Sequence, residues 1–153
     1  MQTSFNFINE IQLEFQKKLF SRNKVTTPGD AAEVSREIFI ATNSCIELKE
    51  YFFVIMLNRA NEVIGYVKLG EGGISGALVD LRLAFGTALK CLASGIVLLH
   101  NHPSANLKPS ENDKALTKKF SEVGEIVDIK VIDHIILTAN SYCSFVDDGI
   151  PLK

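Results

Sequence analysis

The feature that most limits the fold of this chain is the apolar run Gly95-Ile96-Val97-Leu98-Leu99, which passes directly into His100-Asn101-His102-Pro103. A strand that is apolar at every position, rather than at alternate ones, needs cover on both faces, so the run predicts a central strand of a layered α/β sheet. Side chains two apart on a strand share a face. His100 and His102 therefore project together from the strand's end, Asn101 points to the opposite face, and Pro103, with no N–H to donate, ends the ladder. Downstream, Ser110-Glu111-Asn112-Asp113-Lys114-Ala115-Leu116 reads as a helix start, with Ser110 as N-cap and Asp113 as the third helical residue. The segment from Pro103 to Pro109 is long enough to fold that first turn back over the strand end. Two imidazoles and one carboxylate, with a fourth position open, make the ligand set of a catalytic zinc site, where bound water titrates at roughly pH 7. Each member also has a plainer reading. A His-x-His pair is common, and Ser-x-x-Asp is close to a capping box in which Asp113 only reciprocates the cap of Ser110. Both roles of Asp113 are compatible, because a carboxylate has two oxygens.

The rest of the chain alternates strands and helices. Ile11, Leu13 and Phe15 alternate with polar residues, as in a half-exposed strand. Thr27-Pro28-Gly29-Asp30 opens a helix whose buried stripe is Ala31, Val34 and Ile38. Tyr51–Leu57 and Val63–Leu69 form a hairpin around Asn58-Arg59-Ala60-Asn61. Gly70, Gly72, Gly73 and Gly76 make a flexible loop without a phosphate-binding pattern, a connector or a lid. A second helix covers about Leu78 to Leu92, with Leu81, Phe85, Ala88 and Leu92 facing the core. After the histidine strand comes a helix from Ser110 to about Val123, then strands near Asp128–Val131, His134–Leu137 and Tyr142–Phe145. His134 reads as a strand-borne histidine with a structural hydrogen bond, or as a neighbour of the site. The expected class is α/β (α+β), a mixed β-sheet flanked by helices, in one domain over residues 1–153.

The string His100-x-His102-Pro103, six residues, Ser110, two residues, Asp113 resembles the signature of the JAB/MPN (JAMM) metalloproteases. The similarity is closer to the RadC-like bacterial branch, where the loop reads His-Asn-His-Pro-Ser-Gly followed by Pro-Ser and Asp. It continues in Asp133-His134-Ile135-Ile136, in Tyr142-Cys143-Ser144-Phe145 and in Gly149, and covers the chain from about Ile11 onward. The resemblance implies a cytidine-deaminase-like architecture and hydrolysis of a peptide or isopeptide bond. One Zn2+ ion, held by His100, His102 and Asp113, would activate a water. A glutamate on an early strand would be general base and proton donor, and Ser110 would help hold the oxyanion. That division fits the chemistry, since the metal lowers the water's pKa and a carboxylate moves its proton. Register with the RadC-like pattern points to Glu50, two residues before Phe52, with Glu47 as second choice. Three departures stand out. Asp80-Leu81-Arg82-Leu83 replaces a His-Pro-Arg-Glu stretch, Ala105 replaces a glycine, and the chain has no room for the helix-hairpin-helix region of full-length members. These touch substrate docking and nucleic-acid contact rather than the metal ligands.

Composition narrows the partners. A net charge of −2 argues against a strong phosphate-binding surface, and Lys114, Lys118 and Lys119 read as a solvated helix face. Three scattered cysteines, Cys45, Cys91 and Cys143, suggest reduced thiols, no apolar run reaches membrane length, and no signal pattern opens the chain. A cytoplasmic enzyme with no membrane partner is expected; oligomeric state has no sequence signal. The alternatives are a binding module of the same fold that catalyses nothing and an accessory role in DNA repair.

Overall fold

A computed structural model of the chain describes residues 14, 16, 23–72 and 78–153. The elements run α1 (Pro28–Ala41), β1 (Glu50–Leu57), β2 (Val63–Gly72), α2 (Leu81–Lys90), β3 (Gly95–Asn101), α3 (Glu111–Val127), β4 (Lys130–Leu137) and β5 (Tyr142–Ser144). The five strands form one sheet in the order β2-β1-β3-β4-β5. Only β3 and β4 are parallel, joined through α3, while β1/β2, β1/β3 and β4/β5 are antiparallel. This is the expected mixed sheet flanked by helices.

Strand β3 lies in the middle of the sheet and is buried along its whole length. Its residues divide between two cores. Val97 and Leu99 pack with Phe53, Ile55 and Ile135 against Ala31, Val34 and Ile38 of α1. Ile96 and Leu98 pack with Phe52 and Val54 against Ala84 and Phe85 of α2 and Phe120 of α3. Burial at every position is thus the consequence of helices on both sides. Helix α1 begins on a capping box, in which Thr27 accepts from the Asp30 N–H and Asp30 accepts from the Thr27 N–H.

Some expectations are corrected, and others fall outside the described residues. The strand expected around Ile11, Leu13 and Phe15 lies outside the described residues. Gly70 and Gly72 belong to β2, paired with Phe52 and Glu50, rather than to a loop; Gly73 and Gly76 lie outside the described residues. Helix α2 is shorter than Leu78–Leu92, because Asp80 caps its start by accepting the Arg82 N–H. At its other end Leu92 turns to φ 57, with Ala93 donating to the Ala88 carbonyl and Leu92 to the Leu89 carbonyl. Leu92 takes the left-handed position of a Schellman cap, so it leaves the helical stripe and is 84% exposed instead of buried. Helix α3 extends past Val123 to Val127. The two strands expected near Asp128–Val131 and His134–Leu137 are one, β4. Ile96 pairs with Val131 but Val97 pairs with Asp133, so Ile132 is an extra residue in the ladder. That bulge reverses the alternation beyond it: Ile132 and Ile135 both face the α1 core, and His134 faces α3.

Candidate metal centre

Three pieces of chain meet at the C-terminal end of β3. His100 is the last-but-one residue of the strand and is fully buried. His102 lies just past the strand end, where its N–H donates to the Leu137 carbonyl at 2.9 Å and so continues the pairing with β4. Asp113 is on the first turn of α3, held by a capping box: its N–H donates to Ser110 Oγ at 3.1 Å, and its Oδ2 accepts from the Ser110 N–H at 2.7 Å. The same oxygen accepts the Ser110 hydroxyl proton at 2.6 Å. The cap and the site therefore use one carboxylate, as its two oxygens permit.

The ligand atoms converge. His100 Nε2 lies 3.0 Å from His102 Nε2 and 3.3 Å from Asp113 Oδ1, and His102 Nε2 lies 3.6 Å from Asp113 Oδ2. Among the described residues this is the group of three or more metal-ligating side chains that could hold an ion. Donors held at about 2.0–2.2 Å around a tetrahedral zinc lie roughly 3.3–3.6 Å from one another, which these separations approach without rearrangement of the backbone. The donor chemistry also fits. His102 Nδ1 faces the Asn106 carbonyl at 2.6 Å, and a carbonyl only accepts, so that nitrogen carries the proton and leaves Nε2 with its lone pair toward Asp113.

The charges respond to this crowding. Burial pushes the Asp113 carboxyl up, but the neighbouring His100 and His102 imidazoles and the hydrogen bond from Ser110 more than reverse that and hold it well below the usual carboxylate range. The partnership with Asp113 raises the His102 pKa against the lowering by burial, with the Asn106 carbonyl and the charges of Asp113 and Glu50 adding to the rise. His134 is the opposite case, since burial first, then His100, lowers it far below the ordinary imidazole value.

Glu50 opens β1 and is partly buried. Phe52 pairs with His100, so Glu50, two residues earlier on the same face, lies beside the strand end that carries His102. Asn101 explains how that approach is fixed. Its Oδ1 accepts the Tyr51 N–H at 2.7 Å, and its amide nitrogen donates to the carbonyls of Ile46 at 2.7 Å and Lys49 at 2.9 Å. The opposite-facing side chain of the His-Asn-His triplet thereby ties down the backbone on both sides of Glu50. Glu47, the second-choice base, is exposed and lines a surface hollow together with Arg36 and Phe39 of α1.

His134, read from sequence mainly as structural, stands behind the ligands, its Nε2 2.7 Å from His100 Nδ1 and its Nδ1 2.7 Å from Thr117 Oγ. Thr117 and the Asn106 carbonyl were not singled out by sequence. Thr117 falls one turn after Asp113, a spacing that could have marked it. The carbonyl of Asn106 offers no sequence signal at all. Ala105 sits at φ 60, a left-handed backbone that glycine adopts without strain, which accounts for the glycine of the RadC-like loop.

An α/β domain with a His-His-Asp cluster at the end of its central strand, able to hold a metal ion, is the class defined by this fold and site. The chain belongs to the RadC-like JAB domain family, whose profile matches residues 25–150. It is 50% identical over 101 residues to a UPF0758 protein of Flavobacterium johnsoniae, an alignment covering 66% of this chain and 44% of that protein. A UPF0758 protein of Salinibacter ruber is 34% identical over 139 residues, covering 91% of this chain and 58% of the relative. A third, from Pelobacter propionicus, is 40% identical over 102 residues, 67% of this chain and 44% of the relative. The chain spans about half the length of the curated relatives it matches. No helix among the described residues is long and apolar enough to cross a membrane.

Proposed function

We propose that the chain is a hydrolase of peptide or isopeptide bonds that works with one zinc ion held by His100, His102 and Asp113. The observation that carries the reading is the spacing of the three ligand atoms, 3.0, 3.3 and 3.6 Å, beside a glutamate delivered by the neighbouring strand. Held by His100, His102 and Asp113, a zinc ion would supply a water that titrates at roughly pH 7 and a charge that polarises the carbonyl under attack. Glu50 takes the proton of the attacking water and returns it to the departing nitrogen. Ser110 donates its hydroxyl to the oxyanion. Its hydroxyl now donates to Asp113 Oδ2, so it must exchange that bond during the reaction.

The test is metal analysis of protein purified without chelator, followed by digestion of a peptide pool and of an isopeptide-linked dipeptide. Stoichiometric zinc with turnover that disappears in Glu50→Gln, metal content unchanged, supports the reading. His102→Ala loses the metal. A Glu50→Gln variant as active as the parent refutes the base assignment, and a folded protein that never takes up zinc supports a non-catalytic binding module instead.

A further inference from the structure

We infer that His134 and Thr117 are positioning residues whose hydrogen bonds fix the proton of His100 on Nδ1, so that its Nε2 lone pair faces the metal position. The inference rests on the metal reading above and adds to it the device that prepares one ligand.

The proton positions follow from which groups can only accept. The Thr117 hydroxyl, with one proton, donates it to the Asp113 backbone carbonyl at 2.6 Å. Thr117 Oγ is then an acceptor toward His134 Nδ1, 2.7 Å away, so the proton between them sits on His134 Nδ1. His134 is fully buried, with its ring stacked on Phe145 at a centroid distance of 4.7 Å and set edge-on to Phe52 at 5.8 Å. An imidazolium in that setting would lose its hydration with no carboxylate in hydrogen-bond contact, so the ring is neutral. A neutral ring protonated at Nδ1 presents a lone pair at Nε2. His100 Nδ1 lies 2.7 Å from that lone pair and must donate to it. His100 is thereby left with a bare Nε2, pointing at His102 and Asp113.

The chain of bonds starts and ends on one residue. Asp113 gives its carbonyl to Thr117 and its carboxylate to the site, so the helix turn that supplies one ligand also sets the tautomer of another. The rings are held in plane as well. Phe52 stacks on His100 at 5.9 Å and 13° on the side facing β1. Free imidazole favours neither orientation strongly enough to substitute for such a partner, which is why outer hydrogen bonds to metal-binding histidines count.

Two measurements test this. Nitrogen-15 NMR of chelator-treated protein reads the tautomers directly, and the chain has three histidines to assign. His134 in the parent shows the Nδ1–H form. Thr117→Val, which keeps the shape but removes the acceptor, releases His134 to the Nε2–H form, and Thr117→Ser restores Nδ1–H. Zinc affinity, measured by competition with a coloured chelator, falls about 10–100-fold in Thr117→Val and recovers in Thr117→Ser. Circular dichroism confirms that both variants are folded. A parent His134 in the Nε2–H form, or a Thr117→Val variant that binds zinc as tightly as the parent, overturns the inference alone. A parent that binds no zinc overturns the metal reading and this inference with it.

Discussion

Asn101→Asp separates the anchoring of Glu50 from every other property of the strand. The change is nearly isosteric and keeps the oxygen that accepts the Tyr51 N–H, but it replaces the amide donor by a second oxygen facing the carbonyls of Ile46 and Lys49. Two hydrogen bonds of 2.7 and 2.9 Å are lost, at about 1 kcal/mol each. Position 101 is fully buried, so a carboxyl there, between two carbonyl oxygens, has its pKa raised above the unfolded value. The sign follows: the folded state holds a proton that the unfolded chain releases above roughly pH 4, so stability falls as pH rises through the folded value, by about 1.4 kcal/mol for each pKa unit of the rise. With a rise of about two units, added to the one bond that even the protonated acid cannot make, the total cost is roughly 4 kcal/mol at pH 8. At about pH 4, near the unfolded value, the protonated acid donates to one carbonyl and the cost shrinks to about 1–2 kcal/mol. Against a total stability of about 5–15 kcal/mol that difference is large. Urea unfolding with chelator present, at both pH values, measures it. The chain has no tryptophan, so far-ultraviolet circular dichroism is the probe. A variant within about 1 kcal/mol of the parent at pH 8, with no added pH dependence, would refute the claim that the amide donor holds this loop.

Three further outcomes are expected. Gly124→Ala in α3 destabilises by about 1–3 kcal/mol in a urea titration, because a Cβ there would lie 2.3 Å from the Ile129 carbonyl oxygen, and this clash outweighs the gain in helix propensity. Ala105→Gly raises stability by about 0.5–1 kcal/mol, since φ 60 costs alanine what it does not cost glycine; an unchanged thermal midpoint would count against it. Burial holds the Asp133 carboxyl above its ordinary value against the bonds from Ser144, Val146 and His134. Its contribution to stability therefore falls as pH rises above about 4, and Asp133→Asn gains on the parent across that range when unfolding is compared from pH 4 to 7.

The metal cluster was legible because its geometry is local. The face-sharing of His100 and His102 and the capping box of Ser110 and Asp113 follow from period and propensity, without knowledge of the distant chain. Glu50 needed the family register, since a glutamate at a strand start is otherwise unremarkable; the pairing of Phe52 with His100 supplies the spatial reason. What escaped the sequence is what depends on backbone irregularity. The Ile132 bulge divides the expected hydrophobic pattern in two, and without it His134 would have been placed on the wrong face. Leu92 has the spacing of a core residue, and only the left-handed turn that ends α2 shows that it is exposed. The Gly70 and Gly72 positions read as loop because glycine is poor in strands, yet β2 runs through them, paired to β1 at the edge of the sheet.

The three candidate ligands occupy a single short stretch of chain, together with Asn106 and Thr117, whereas Glu50 and His134 come from β1 and β4. Closing the ligand loop costs little chain entropy compared with bringing those distant strands together. Assembling the candidate ligand group and delivering the proposed base to it are thus separable events along this polypeptide. A substitution that disturbs strand pairing far from residues 100–113 can leave the His-His-Asp group assembled while Glu50, the proposed base, stands out of reach.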